Sequence, residues 1–473
     1  MNRRKFVADI AGCLSAFGMY STQPLAAQLT GRNNFQKLIF NLIFTQKANT
    51  MHAPSILKRF SLSAIAVSVT LACTHASAQT PETQLLKRLD DLAAELDRVK
   101  SELKQMKVKQ DAAASIPTAP ANVSATQLTA YGELNYARPR RDSAATQADV
   151  GRFVLGFQHR FDERTKVVAE LEVEHAVTSA GDSGEVAVEQ VYVEHRLNET
   201  FGARAGLFLI PLGLINQSHE PHTFYGVFRP AVERAIIPTT LREIGVQVFG
   251  EHDNGISWST GLSTGPDLTK WDPANAEGVE SPFRALHQEG QLAKSKDLSI
   301  FGSVDWRGVP GLRLGAGIIG GKLGHGTAGF AAPNARYTLS DVHAKWTPGA
   351  WDLSAVYARG TITGAGALNA TFAGAPYLVP KRFDGFYAQA AYRQRLAGDY
   401  VISPFLRYEK TNTGRGFDGV VAGLNVNAYD TETISTFGVN FNIAPTVVLK
   451  ADIQRYKVTK DSDSLNLGLG FAF

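Results

Sequence analysis

Cysteine is almost missing from this chain of 473 residues: there are two, Cys13 and Cys73, and both fall in a leader. The remainder can therefore hold neither a disulfide framework nor a thiolate metal site. Charge is thin as well, at 19% of residues, and the formal +4 belongs to the leader. Residues 1–78 carry eight basic groups (Arg3, Arg4, Lys5, Arg32, Lys37, Lys47, Lys58, Arg59) against Asp9, while the rest has 40 basic and 43 acidic groups, a formal −3. The basic footprint that phosphates require is absent, and no nucleic-acid partner is expected. No run of about 18 apolar residues follows the leader, so no segment can cross a membrane as a helix. Apolar material is nevertheless plentiful, with 44% hydrophobic residues, 43 Gly and 26 Phe. That excludes wholesale disorder and leaves a soluble protein or a membrane barrel.

The leader has the form of a secretory signal over residues 51–78: basic Lys58 and Arg59, an apolar run from Leu62 to Ala72, and Ala76-Ser77-Ala78 as a small-x-small cleavage site. Residues 1–50 lie upstream of that complete signal and are expected to be an extension preceding a true start at Met51. The competing reading, a twin-arginine signal at Arg3-Arg4-Lys5-Phe6-Val7, is weakened by Asp9 within its apolar core. Over residues 79–110, Leu85, Leu89, Leu92, Leu96, Val99, Leu103 and Met106 alternate by four and three, an a/d seam that predicts a self-associating coiled coil, with three strands the expected number. A Pro/Ala linker, residues 111–126, ends it.

From Leu128 onward the period is two. Phe153, Leu155 and Phe157 alternate with Arg152, Gln158 and Arg160; Val167, Ala169, Leu171 and Val173 alternate with Lys166, Glu170, Glu172 and Glu174. Sixteen such stretches are legible in residues 127–473, and their connections alternate between short (Asp162-Glu163, Asp253-Asn254, Pro348-Gly349, Gly398-Asp399, Ala444-Pro445) and long. Short turns on one rim and long loops on the other predict an all-β, sixteen-stranded antiparallel transmembrane β-barrel with a water-filled lumen, its two ends on the turn side. The last strand puts Leu465, Leu467, Leu469, Phe471 and Phe473 on one face; the terminal aromatics Phe471 and Phe473 have the form of a barrel-assembly signal. Tyr136, Trp306, Trp346, Trp351, Tyr357 and Tyr392 fall on the outward parity, as an interfacial girdle would. The inward parity carries Arg152, Arg160, Glu170, Glu172, Arg393, Arg395 and Arg407, with Glu133, Glu174, Asp305, Asp341, His343, Lys345, Glu409, Lys450 and Asp452, and predicts a charged, hydrated lining.

Between the fifth and sixth strands lies the stretch from Gly206-Leu-Phe-Leu-Ile-Pro-Leu-Gly-Leu to Ile237-Pro-Thr-Thr-Leu-Arg-Glu-Ile-Gly245. In this run, its return and the terminal Phe the chain resembles the phosphate-selective porin O and P family of outer-membrane channels. The resemblance implies a homotrimeric passive channel of the Gram-negative outer membrane, narrowed by a third loop folded into the lumen, with the coiled coil and the C-terminus in the periplasm. The partners so implied are two further copies, outer-membrane lipid and lipopolysaccharide, the barrel-assembly machinery, and small ions or solutes. A loop of that length, residues 210–243, is also the best constriction candidate on its own terms. Its ionisable residues are His219, Glu220, His222, Arg229, Glu233, Arg234, Arg242 and Glu243. With Glu251 close by, the carboxylates balance the three arginines, so phosphate specificity has no support in the charge count. The arginines could instead pair with Glu233 and Glu243 and hold the loop to the wall.

Other patterns explain less. Gly315-Ala-Gly317-Ile-Ile-Gly320 matches a dinucleotide fingerprint but lies within a strand, where small residues for close packing account for it better. His219-Glu220-Pro221-His222 offers no fourth ligand and no helical face, so no metal is expected, and no cofactor. No nucleophile motif accompanies the barrel, so catalysis is not expected. The alternatives to a channel are a barrel-anchored envelope tether and an outer-membrane enzyme lacking an identifiable nucleophile.

Overall fold

A computed structural model describes residues 125–473, apart from residues 180 and 183. The signal, coiled coil and linker expected over residues 51–124 lie outside the described residues. The strands are β1 (Thr126–Pro139), β2 (Gln147–Arg160), β3 (Thr165–Glu174), β4 (Val186–Arg196), β5 (Phe201–Leu209), β6 (Arg242–Glu251), β7 (Ile256–Ser263), β8 (Ser299–Trp306), β9 (Leu312–Lys322), β10 (Arg336–Trp346), β11 (Trp351–Thr363), β12 (Arg382–Tyr392, continued by Gln394–Arg395), β13 (Val401–Gly416), β14 (Glu432–Ala444), β15 (Val447–Tyr456) and β16 (Ser464–Ala472). The two parts of β12 keep one register against β13, Ala391 facing Phe405 and Gln394 facing Ile402. Pro404 falls opposite the gap, and its missing N–H interrupts the ladder there. Each strand pairs antiparallel with its sequence neighbours, and β1 pairs with β16 to close the ring. The sixteen expected strands are all present. The seam ends on Phe473, whose N–H donates to Ala130 O (2.9 Å) and whose carbonyl accepts from Ala130 N (3.0 Å).

Side chains sort by parity. Outward positions such as Leu155, Phe157, Val246, Ile300, Val342, Phe437 and Leu467 are exposed and apolar, the belt a membrane-spanning barrel presents to lipid. Trp306, Trp346, Trp351 and Tyr392 are exposed among them and lie at strand ends on the short-turn rim, with Trp351 edge-on to Tyr392 at 5.1 Å. Tyr357 is outward too, but mid-strand.

The interior departs from the expected uniformly charged lining. Toward the long-loop rim the inner faces of β8–β12 bury Phe301, Ile319, Leu339, Val356, Phe383 and Tyr387 against Ile210, Leu212, Val232 and Ile236 of the third loop and against Trp271, Phe283 and Leu286 of the fourth. Long loops that fold inward can bury their own apolar residues only on apolar wall, and each such side chain contributes about 1.5–3 kcal/mol on burial. Nearer the turns the same strands become ionic. Asp305 accepts from Arg313 Nε (2.6 Å) and contacts His343 Nε2 (3.0 Å), while His343 Nδ1 meets Asp341 (2.6 Å). The Gly315–Gly317 pair on β9 serves close approach: a Cβ at 315 would come within 2.2 Å of His343 Nε2, and one at 317 within 2.6 Å of Leu212.

Candidate functional site: the third loop across the lumen

The third loop, residues 210–241, leaves β5 and returns to β6. Asn216 closes its base: Nδ2 donates to Ile210 O (2.8 Å) and Leu241 O (3.0 Å), and Oδ1 accepts from Leu241 N (2.8 Å). Gly213 lies at φ +69°, and a Cβ there would come within 2.5 Å of Glu233 Oε2. Only glycine allows the entry turn to wrap that carboxylate. Glu233 is fully enclosed, and accepts from Leu214 N (3.0 Å), Ile215 N (2.7 Å) and Tyr387 Oη (2.7 Å). Burial raises its pKa, against the pull of Tyr387 and Ile215.

The middle of the loop is fastened far from its base. Asp452 on β15 accepts from Val227 N (2.6 Å); Asn440 on β14 accepts from Gly226 N (3.1 Å) and donates to Phe224 O (3.0 Å). Glu409 on β13 accepts from Ala231 N (2.6 Å), and Arg407 donates to Tyr225 O (3.0 Å) and Phe228 O (3.3 Å). In a closed ring of sixteen, β14 lies eight strands from β6 in either direction. The loop therefore crosses the barrel interior, wall side chains holding its backbone over residues 224–231 while short helical turns at Pro221–Thr223 and Val232–Ile236 satisfy part of the rest.

A third attachment runs to β1–β4. His219 Nε2 lies 2.6 Å from Glu189 Oε1 and 2.7 Å from Tyr131 Oη, and Nδ1 lies 3.0 Å from Asn216 O. Arg152 donates to His219 O (2.9 Å) and to Glu133 (3.1 Å), and sits 3.7 Å from Glu172. Glu189 reaches His219 because the β3–β4 register shifts there: Glu170 faces Gln190, yet Leu171 faces Val188. Such a bulge re-aims one side chain. Glu189 was missed although the slip from Val186 and Val188 to Val191 and Val193 marks its bulge, and the apolar character of their surroundings hid Tyr131 and Tyr387; Asn440 was visible as a polar inward residue.

The pairing expected for the arginines does not occur. Arg242 pairs with Glu289 of the fourth loop (3.1 Å), Glu243 accepts from the Thr264 hydroxyl, and Glu233 meets Tyr387. Arg229 is fully buried with Nη1 3.5 Å from Thr240 Oγ1 and no partner for Nη2; burial, then Arg152, pulls it down to about 10. Arg234 lies over the Phe228 ring (5.8 Å). The loop finds its ionic partners on other elements because its own charges point to different walls. His222 and Glu220 remain half-buried beside the Pro221–Thr223 turn, with His222 Nδ1 and Glu220 Oε2 unpartnered; burial lowers the His222 pKa, against the nearby Glu220. Among the expected lumen residues, Arg152 and Arg407 are buried anchors and Glu170 accepts from Gln190 (2.7 Å). Arg160, Arg393 and Arg395 are exposed toward the turn rim.

No protein-family model matches the sequence. A protein of Aquifex aeolicus (strain VF5), described as an uncharacterized protein, is 31% identical over 355 residues, 72% of this chain and 79% of that one. The chain belongs to that protein's family. Among solved structures, Salmonella typhi OmpF in complex with daunomycin aligns with 74% of this chain and 97% of its own, at 12% identity and TM-score 0.51. The outer membrane channel DcaP of Acinetobacter baumannii aligns over the same shares at 13% identity and TM-score 0.46. The fold of the described residues is thus the closed antiparallel barrel also seen in OmpF.

Proposed function

We propose that the protein is a passive diffusion channel, a porin, for small hydrophilic solutes or ions across the Gram-negative outer membrane, constricted by the third loop. The observation that carries this reading is the crossing of that loop from β5–β6 to β13–β15. A tether has no use for an ordered segment through its anchor, whereas in a channel such a segment narrows the path and sets its width. Three copies form the working unit, held by the coiled coil of residues 79–110, with that segment and the C-terminus in the periplasm. Transport follows the gradient. The interior charges are mixed, and phosphate is not singled out.

The test is single-channel recording of the purified protein in planar bilayers across a salt gradient, with phosphate competing against chloride. Conductance in steps of three is expected, without block by low phosphate. Folded trimers that conduct nothing would sink the reading and return the tether and the enzyme to consideration.

A further inference from the structure

A cavity of about 220 Å³ lies where the end of β3, the approach to β4, the return of the third loop and the fourth loop meet. Its wall is split by charge. Glu172, Glu174 and Glu185 stand on the β3–β4 side; Arg242 and Arg284, with Glu289, stand on the loop side. Two of these are almost completely enclosed, Glu172 at 4% and Arg242 at 6% exposure, yet Glu172 Oε1 and Arg242 Nε have no hydrogen-bond partner. Each group has one ionic neighbour, Arg152 at 3.7 Å from Glu172 Oε1 and Glu289 at 3.1 Å from Arg242 Nη2, but buried ionic groups ordinarily fill their hydrogen-bonding capacity as well, and the spare acceptor and spare donor lining one cavity suit a ligand that carries both signs.

The backbone around the cavity supports the same conclusion. Among the described residues six non-glycine positions have positive φ, and three of them line this cavity: His175 (54°), Thr240 (55°) and Glu289 (49°). For a β-branched residue such as Thr240 the conformation is costly, and strain of this kind gathers at ligand clamps. The volume suits a molecule well below drug size.

We infer that this cavity binds a small zwitterion of the amino-acid class, its ammonium toward Glu172, Glu174 and Glu185 and its carboxylate toward Arg242 and Arg284. Glu289 is taken up by Arg242 and His287, and among the described residues Glu174 and Glu185 stand without an ion-pair partner beside Glu172, which favours a ligand with a second ammonium, as in a basic amino acid. The inference names a solute class for the channel and rests on that reading only for where the solute goes; binding is measurable without it.

Isothermal titration of the full-length protein in detergent, with L-lysine, cadaverine and glutarate as probes, tests it. Lysine is expected to bind at least tenfold more tightly than cadaverine, which lacks the carboxylate, and than glutarate, which lacks ammonium. Glu172→Gln is expected to weaken lysine at least tenfold, and Glu185→Gln, at the exposed rim, about threefold or more. Cadaverine or glutarate binding as well as lysine overturns the inference, as does unchanged affinity in both variants. The same preparations in bilayers separate the two readings: a conducting protein that does not bind lysine overturns this site alone, while one that binds lysine without conducting keeps the site and overturns the channel.

Discussion

Cutting the β14–β15 part of the third loop's far attachment, with Asn440→Ala and Asp452→Ala together and the Arg407 and Glu409 contacts left in place, gives the sharpest test of how the interior is built. The pair makes three hydrogen bonds to loop backbone, at 3.1, 3.0 and 2.6 Å. Two are neutral, at about 1 kcal/mol each, and the one to the carboxylate is worth about 2 kcal/mol, so the loop loses about 4 kcal/mol of attachment. That corresponds to about a thousandfold rise in the population of the detached loop. Trypsin reads this population directly, because Arg234 is the loop residue it can cut, Arg229 being followed by Pro230. When opening is fast relative to cleavage, the nicking rate follows the open fraction. Nicking after Arg234 should therefore rise by two to three orders of magnitude on this estimate, while the barrel's own unfolding temperature stays close to that of the parent. In bilayers the variant should show larger, noisier conductance. Unchanged nicking together with unchanged conductance would refute both the attachment and the loop's role in setting the width.

Three further outcomes follow from the same geometry. Gly213→Ala places a Cβ within 2.5 Å of Glu233 Oε2 at φ +69°, so a loss of about 2 kcal/mol or more is expected in equilibrium unfolding. Burial holds Glu233 above its ordinary 4.5, so the folded loop binds its proton more tightly than the unfolded chain; stability should fall as pH rises from about 4.5 through the displaced value, and Glu233→Gln should flatten that stretch of the thermal-unfolding profile against pH. Deleting Phe473 removes both hydrogen bonds to Ala130 at the seam and should cut the yield of folded barrel in lipid-vesicle refolding several-fold; full yield would show that the seam closes without it.

Much of this architecture was readable one residue at a time. A strand's two faces differ by a single step, so Phe153, Leu155 and Phe157 against Arg152 declare both the strand and its lipid side. Turn lengths declare the rims, and the last strand, from Leu465 to Phe473, declares where the ring closes. The third loop was visible as a long connection with eight ionisable residues. These signals are local: each depends on neighbours in the chain, and the lipid belt leaves no choice about which face carries them.

What such local signals could not supply were the partners of those residues. Glu189 turns inward at a bulge that the sequence marks only as a phase slip, Val186 and Val188 giving way to Val191 and Val193; the slip does not say which residue the side chain meets. Arg242 finds Glu289, 47 positions away, rather than its neighbour Glu243, because adjacent residues on a strand point to opposite faces. The apolar core inside the barrel arises only once the third and fourth loops, with Leu323 and Ala335 of the β9–β10 connection and Leu368 and Val379 of the β11–β12 connection, fold onto β8–β12, and no single strand shows it. Patterning is set by the solvent each face meets, whereas pairing across a lumen is set by where a closed ring carries residues hundreds of positions apart, as it does Val227 and Asp452.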